Sequence, residues 1–207
     1  MFDGLIFDLD GTLWDATDGI CKTWNIILKE YPNVRANPIT VKELEGCMGL
    51  PMDKIAERLF PDTEHNMRMS LLDKCCVLEN KYLSEHGGKL FPRVLETLGK
   101  LSKKYKLFIV SNCQVGYIES FFEGNGTGKY FTDILSFGET GLTKGENNKI
   151  IIERNNLKNA VYIGDTQGDR QSALYAGIPF VFAEYGFGSV DGYDYKIEKF
   201  SDLLNLF

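Results

Sequence analysis

In the stretch Gly4-Leu5-Ile6-Phe7-Asp8-Leu9-Asp10-Gly11-Thr12-Leu13 an apolar run stops at two aspartates one residue apart, and Gly-Thr follows. The pattern predicts a short buried strand over residues 5–9, of the continuously apolar kind found in parallel sheets. Asp8 and Asp10 then leave the sheet at its carboxyl edge, where open α/β sheets bind ligands. Gly11 permits a turn that a residue with a side chain resists. Two carboxylates this close repel each other, and burial raises their pKa values. A hard divalent cation with oxygen ligands relieves the repulsion, Mg²⁺ before all others. The same residues also make an ordinary β-turn, since Asp and Gly are common turn formers. What lies downstream discriminates between the two readings.

Residues 15–87 show apolar spacing of helical period and no strand pattern. Helices are expected over 16–31 (Ile20, Trp24, Ile27, Leu28), over 41–45 after Thr40, and from Pro51 through Phe60. A fourth, over 64–85, turns Met67, Leu71, Leu72, Cys75, Leu78 and Tyr82 inward. The second and third are joined by Gly46-Cys47-Met48-Gly49-Leu50-Pro51, a nearly apolar loop flanked by Lys42 and Lys54. From Gly87-Gly88 onward strands at 106–110, 132–137, 160–163 and 179–183 alternate with helices at 94–103, 115–123, 145–155 and 167–175. Residues 124–128, Gly-Asn-Gly-Thr-Gly, read as a flexible loop, and residues 200–206 as a last amphipathic turn or two. This rhythm implies an α/β protein with a mostly parallel, doubly wound sheet and a four-helix insert after its first strand.

Each core strand delivers polar residues to the same edge. The first brings Asp8 and Asp10, the second Ser111-Asn112, the fourth Gly164-Asp165-Thr166-Gln167-Gly168-Asp169; Lys144 opens the helix before that fourth strand. Singly, each has a bland explanation. Ser-Asn after a strand is a common helix cap, Lys144 is one of 23 basic residues, and Asp165 and Asp169 suit a turn and a cap. Together, in order and all at strand ends or helix starts, they describe a site, since a core cannot use such groups.

These four pieces resemble the four motifs of the haloacid dehalogenase-like (HAD) hydrolase superfamily, in its phosphoglycolate phosphatase and β-phosphoglucomutase branch. The helical insert is similar to that family's small cap. The resemblance implies a Rossmann-like core of residues 1–14 and 88–207 with a cap of residues 15–87. It also implies an Mg²⁺-dependent phosphatase for a small phosphorylated metabolite. Asp8 would attack phosphorus and carry an aspartyl-phosphate, and Asp10 would serve as general acid and then general base. Ser111, Asn112 and Lys144 would bind phosphate, as would Thr12, which could also orient Asp10. The metal would be held by Asp8, the main-chain carbonyl of Asp10, and Asp165, with Asp169 acting through water. Dehalogenase members lack a carboxylate at the Asp10 position, so its presence argues for phosphate over halide. A sugar phosphomutase using the same Asp8 intermediate is the alternative, and a non-catalytic binding protein on the same fold a weaker one.

The totals set outer limits. The 207-residue chain has a net charge of −6, which disfavours nucleic acid as a partner. No apolar run approaches a membrane span, and no signal-peptide pattern opens the chain. Five cysteines, an odd number without a C-x-x-C pair, suit reduced thiols and a cytoplasmic setting. His65 and His86 are expected at the surface, and Cys113 as a passive small residue. A monomer or weak dimer is expected. Trp14 and Asp15 are expected at the hinge into the cap. The cap loop offers no obvious Arg for a second phosphate or a carboxylate; Lys42 and Lys54 flank it and could serve.

Overall fold

The computed structural model describes residues 2–207. In chain order the elements are β1 (Gly4–Phe7), β2 (Trp14–Asp15), α1 (Thr17–Leu28), α2 (Val41–Glu45), α3 (Met52–Leu59), α4 (His65–His86), β3 (Lys89–Leu90), α5 (Val94–Leu101), β4 (Lys106–Ser111) and α6 (Tyr117–Asn125). They continue with β5 (Asp133–Ser136), α7 (Phe137–Thr140), α8 (Lys144–Arg154), β6 (Ala160–Gly164), α9 (Gln167–Ala176), β7 (Phe180–Ala183), β8 (Tyr195–Ile197) and α10 (Leu203–Leu206). Six strands form one sheet in the order β5-β4-β1-β6-β7-β8, with every neighbouring pair parallel.

β1 lies inside the sheet, with Leu5 opposite Leu107 on one side and Val161 on the other. Alternate side chains of the strands enter two different cores. Leu5, Phe7, Leu107, Ile109, Val161 and Ile163 pack with Val94 and Leu98 of α5, Phe121 of α6 and Leu203 of α10. Ile6, Phe108, Val110, Tyr162, Phe180 and Phe182 pack with Ile151 of α8 and Ala173 of α9. Both faces of the sheet are therefore covered, which is why its strands read as unbroken apolar runs. The order of connection reverses beside β1, and such a switch point opens a crevice at the carboxyl ends of the strands.

Helices α1–α4 lie between β2 and β3, as an inserted helical cap. Their buried residues, among them Ile20, Trp24, Leu44, Ile55 and Leu72, join the first core without a break. The cap thus sits down on the sheet edge. Two features hold its base. β2 and β3 pair antiparallel, Trp14 with Leu90 and Asp15 with Lys89. Asp15 also ties the start of α1 to the ribbon, its Oδ1 accepting from the Thr17 N–H at 3.0 Å. Two-residue strands carry no periodicity, so this ribbon has no sequence signal.

Other departures from expectation have local causes. Residues 124–128 are not a flexible loop. α6 runs to Asn125 and closes at Gly126 in the left-handed conformation, φ +65°. Gly124 lies against the backbone of α4 at Leu83, where any side chain would collide. Met67 is exposed rather than inward, whereas Glu79 and Leu83 are buried. β8 was not expected, since only Ile197 of its three residues is buried. Trp14 is fully buried at the hinge, edge-on to Phe121 with ring centroids 4.9 Å apart.

Candidate active site

Asp8 leaves β1 while the backbone is still paired, its N–H donating to the Ile163 carbonyl at 2.8 Å. The chain then turns at Gly11, φ +81°, where a Cβ would collide with the Asp165 carboxylate. Only glycine lets the first loop pass this close to the fourth. Lys144 is placed as the first residue of α8 by a capping box between Thr143 and Glu146. Its buried Nζ donates to Asp8 Oδ1 at 2.8 Å and Asp169 Oδ1 at 2.7 Å. Asp169 belongs to a second capping box at the start of α9. Its Oδ2 accepts from the Thr166 N–H at 2.9 Å and the Thr166 hydroxyl at 2.7 Å. One side chain thus starts a helix and aims the lysine. Asp165 accepts from the Phe187 N–H at 2.8 Å and, at 3.4 Å, from the Thr12 hydroxyl.

Burial dominates the electrostatics. It lifts the Asp8 carboxyl to about 6, with the Asp169 charge adding and Lys144 opposing. Burial and the charges of Asp169 and Asp8 also hold Asp165 well above the usual carboxylate range. Lys144 goes the other way: burial alone would lower its pKa, but the two carboxylates raise it and keep it charged. Burial lifts Asp10 to about 8, against the hydrogen bond that the Tyr117 hydroxyl donates to Oδ1 at 2.8 Å. Asp10 therefore holds its proton more tightly than an ordinary carboxylate does.

Asp8, Asp165 and Asp169 each offer an oxygen within 4.8 Å of the others, and all three are buried. Three carboxylates face one ammonium, so the site is short of positive charge. An oxygen-only donor set of this charge fits a hard divalent cation such as Mg²⁺. Asp8 and Asp165 each keep lone pairs for it. Asp169 is already engaged through both oxygens, which suits holding a water better than direct ligation.

With that geometry, the likeness to known proteins becomes specific. A model of the haloacid dehalogenase-like hydrolases matches residues 5–183. The chain belongs to the haloacid dehalogenase-like hydrolase family. A phosphoglycolate phosphatase of Yersinia pseudotuberculosis is 24% identical over 97% of this chain and 91% of its own. One of Rhodobacter capsulatus is 26% identical over 90% and 86%. Among solved structures, a predicted phosphoglycolate phosphatase from Haemophilus somnus aligns with a TM-score of 0.86 at 21% identity, covering 99% of this chain and 97% of that one. CbbY from Rhodobacter sphaeroides, in complex with phosphate, aligns with a TM-score of 0.81 at 14% identity, covering 98% and 96%. The chain is thus a hydrolase, and both curated relatives named above, matched over 90% or more of this chain, are phosphatases.

The structure of this HAD-like hydrolase brings Asp8, Asp10, Ser111, Asn112, Lys144, Asp165 and Asp169 to one sheet edge. Ser111 and Asn112 line the cavity together with Asp8 and Asp10. The Asn112 side chain, however, also donates across to the cap, to the Gly49 carbonyl at 2.8 Å. Thr12 is placed differently from the expectation. It is fully buried behind Asp165, with its hydroxyl on that carboxylate rather than on Asp10 or the cavity. Neither Lys42 nor Lys54 reaches the cavity; Lys54 is exposed and paired with Glu57 at 2.9 Å.

Three residues escaped the sequence: Tyr117, Gln114 and Glu79. Tyr117 holds Asp10. Gly186-Phe187-Gly188, which reads from the sequence mainly as a structural turn after the last expected strand, reaches the site through the Phe187 backbone N–H on Asp165. Gln114 donates to Glu79 at 2.9 Å, and the Trp24 indole N–H donates to the same carboxylate. Glu79 did leave a trace, since it falls on the stripe of Leu71, Cys75 and Leu83 in α4, a carboxylate where the spacing demands an apolar residue. Cys113 is buried, and burial pushes its thiol up, which disfavours the reactive thiolate.

Proposed function

We propose that this hydrolase is an Mg²⁺-dependent phosphatase that cleaves a small phosphorylated metabolite through an aspartyl-phosphate on Asp8. The observation that carries the reading is the meeting of Asp8, Asp10, Lys144 and Asp165, from three distant parts of the chain, around one buried point. Matching relatives named phosphatases, and a structural neighbour described with phosphate, support it.

The chemistry follows from what each residue is free to do. The Asp8 carboxylate attacks phosphorus, and the P–O bond to the leaving group breaks. Asp10 gives its proton to the departing oxygen. Asp10, now a carboxylate, takes a proton from water; the resulting hydroxide attacks the acyl phosphate, releasing phosphate and restoring both aspartates. Lys144 holds Asp8 in place and faces the phosphoryl charge. The Ser111 hydroxyl and the backbone N–H groups of Leu9, Asp10 and Asn112 supply hydrogen bonds to the phosphoryl oxygens. An Mg²⁺ ion held by Asp8, Asp165 and the Asp10 carbonyl, with Asp169 on a bound water, would neutralise charge on those oxygens. Residues 15–87 act as a cap that limits water during the first half-reaction, and the chain works in the cytoplasm.

The test is release of inorganic phosphate from p-nitrophenyl phosphate, with Mg²⁺ and with EDTA. Metal-dependent release that Asp8→Asn abolishes supports the reading. Release that survives in Asp8→Asn contradicts it. Activation by a sugar bisphosphate with little free phosphate would move the assignment to a phosphomutase.

A further inference from the structure

The cavity beneath the cap has two walls of opposite character. One is the strand edge with Asp8, Asp10 and Ser111. The other is built by Ile20, Trp24, Leu44, Met48 and Ile55 of the cap, and carries one ionisable group, Glu79. Among the described residues no Lys, Arg or His lines the cavity. Lys144 is committed to Asp8 and Asp169 beneath it. Arg58, the remaining cation near the loop, faces outward and holds the Gly46 carbonyl at 2.7 Å.

Glu79 is 2% exposed, and its two oxygens accept only from neutral donors, Trp24 and Gln114. Two neutral hydrogen bonds orient a carboxylate but do not balance its charge. Each of its oxygens retains acceptor capacity. Burial by itself favours the neutral form of Glu79, so a second anion on the substrate would meet no counter-charge, and only a cation would draw out the carboxylate. An ammonium would meet its natural partner inside an apolar enclosure, where such a pair is strong.

Building on the phosphatase reading, we infer that the substrate is the phosphomonoester of a short amino alcohol, whose ammonium group is held by Glu79 while its alkyl part lies on the apolar cap wall. Glu79 is then the specificity residue, and a substrate with a second anionic group, such as phosphoglycolate, is excluded. The curated relatives bear that compound's name, so the inference sets this chain apart from them.

The experiment compares kcat/KM for 3-aminopropyl phosphate, its neutral isostere butyl phosphate, and phosphoglycolate, with p-nitrophenyl phosphate as control. The expected order is amine over neutral isostere by about 10- to 100-fold, the span of one charge-assisted hydrogen bond, with phosphoglycolate last. In Glu79→Gln the amine-to-neutral ratio falls towards one, mainly through KM, and in Glu79→Lys phosphoglycolate overtakes the amine. Phosphoglycolate equal to or better than the amine in the wild type overturns the inference. So does an amine-to-neutral ratio that Glu79→Gln leaves unchanged. Hydrolysis of none of the four esters, p-nitrophenyl phosphate included, would instead sink the phosphatase reading on which the inference rests.

Discussion

The strand edge and the cap wall enclose the same cavity but are built on different principles. At the strand edge every charged group is cross-braced. Lys144 bridges two aspartates, Asp169 doubles as a helix cap, and Asp165 is held by a backbone N–H and Thr12. The cap wall has one carboxylate among apolar side chains, and few polar bonds tie it to the edge, notably Asn112 to Gly49, Gln114 to Glu79 and Asn80 to the Val115 carbonyl at 2.8 Å. The contrast fits a division of labour. Chemistry needs charges fixed before the substrate arrives, whereas choice of substrate needs a surface that differs from one family member to the next.

If that division holds, changes at the edge should destroy turnover and changes in the cap should redirect it. The largest effect is expected for Asp8→Asn, with kcat reduced by about 10⁴-fold or more and circular dichroism unchanged. Turnover within about tenfold of wild type would remove the edge's claim to the chemistry. Chelation comes next. EDTA should reduce phosphate release to background, and Mg²⁺ should restore it while raising Tm, by up to about 2.7 kcal/mol of stability at a hundredfold excess over Kd. An unchanged Tm with added Mg²⁺ would count against the acidic trio as its binding site.

Lys144→Met should lower the stability in urea by about 3–5 kcal/mol, because it strands two buried carboxylates. The control is Lys54→Met, removing an exposed cap pair, which should leave the urea midpoint where it is. Equal effects would mean that the edge is no more tightly braced than the cap.

Glu79 gives a pH test of the cap wall. Burial lifts its carboxyl from 4.5 to about 7, so the folded state binds that proton more tightly than the unfolded one. Its contribution to stability is therefore best below about pH 4.5, declines as pH rises through 7, and is at its worst above, by at most about 3 kcal/mol. In Glu79→Gln this decline disappears. At pH 5 the variant should be less stable by about 1–3 kcal/mol, since an amide accepts from only one of the Trp24 and Gln114 donors. At pH 8 the gap should narrow or reverse. A gap of equal size at both pH values would show that Glu79 does not ionise with the expected shift. Smallest is Asn112→Ala, which unties one bond between edge and cap. A loss of about 1 kcal/mol, seen as a several-fold rise in KM with kcat nearly kept, is expected; a collapse of kcat would place Asn112 in the chemistry instead.

Sequence legibility followed the same boundary. Asp8, Lys144, Asp165 and Asp169 could be read because each stands at the junction of an apolar run with a turn or cap, a local event in the chain. Thr12 was legible as a motif member but not in its role, since its partner Asp165 lies 153 residues away. Gly124 read as loop because nothing local distinguishes a flexible glycine from one pressed against another helix. Glu79 and Tyr117 act across the interface between α4, α6 and the first loop, and no periodicity records which helix faces which.

The amino-acid order alone therefore determined the alternation of strands and helices, the helical insert and the set of groups at the sheet edge. Backbone periodicity and strand-end polarity are properties of neighbouring residues. The folded molecule alone decided what the cap shows to that edge. A carboxylate's partners, its burial and the absence of a cation beside it depend on side chains that meet only when distant segments pack together.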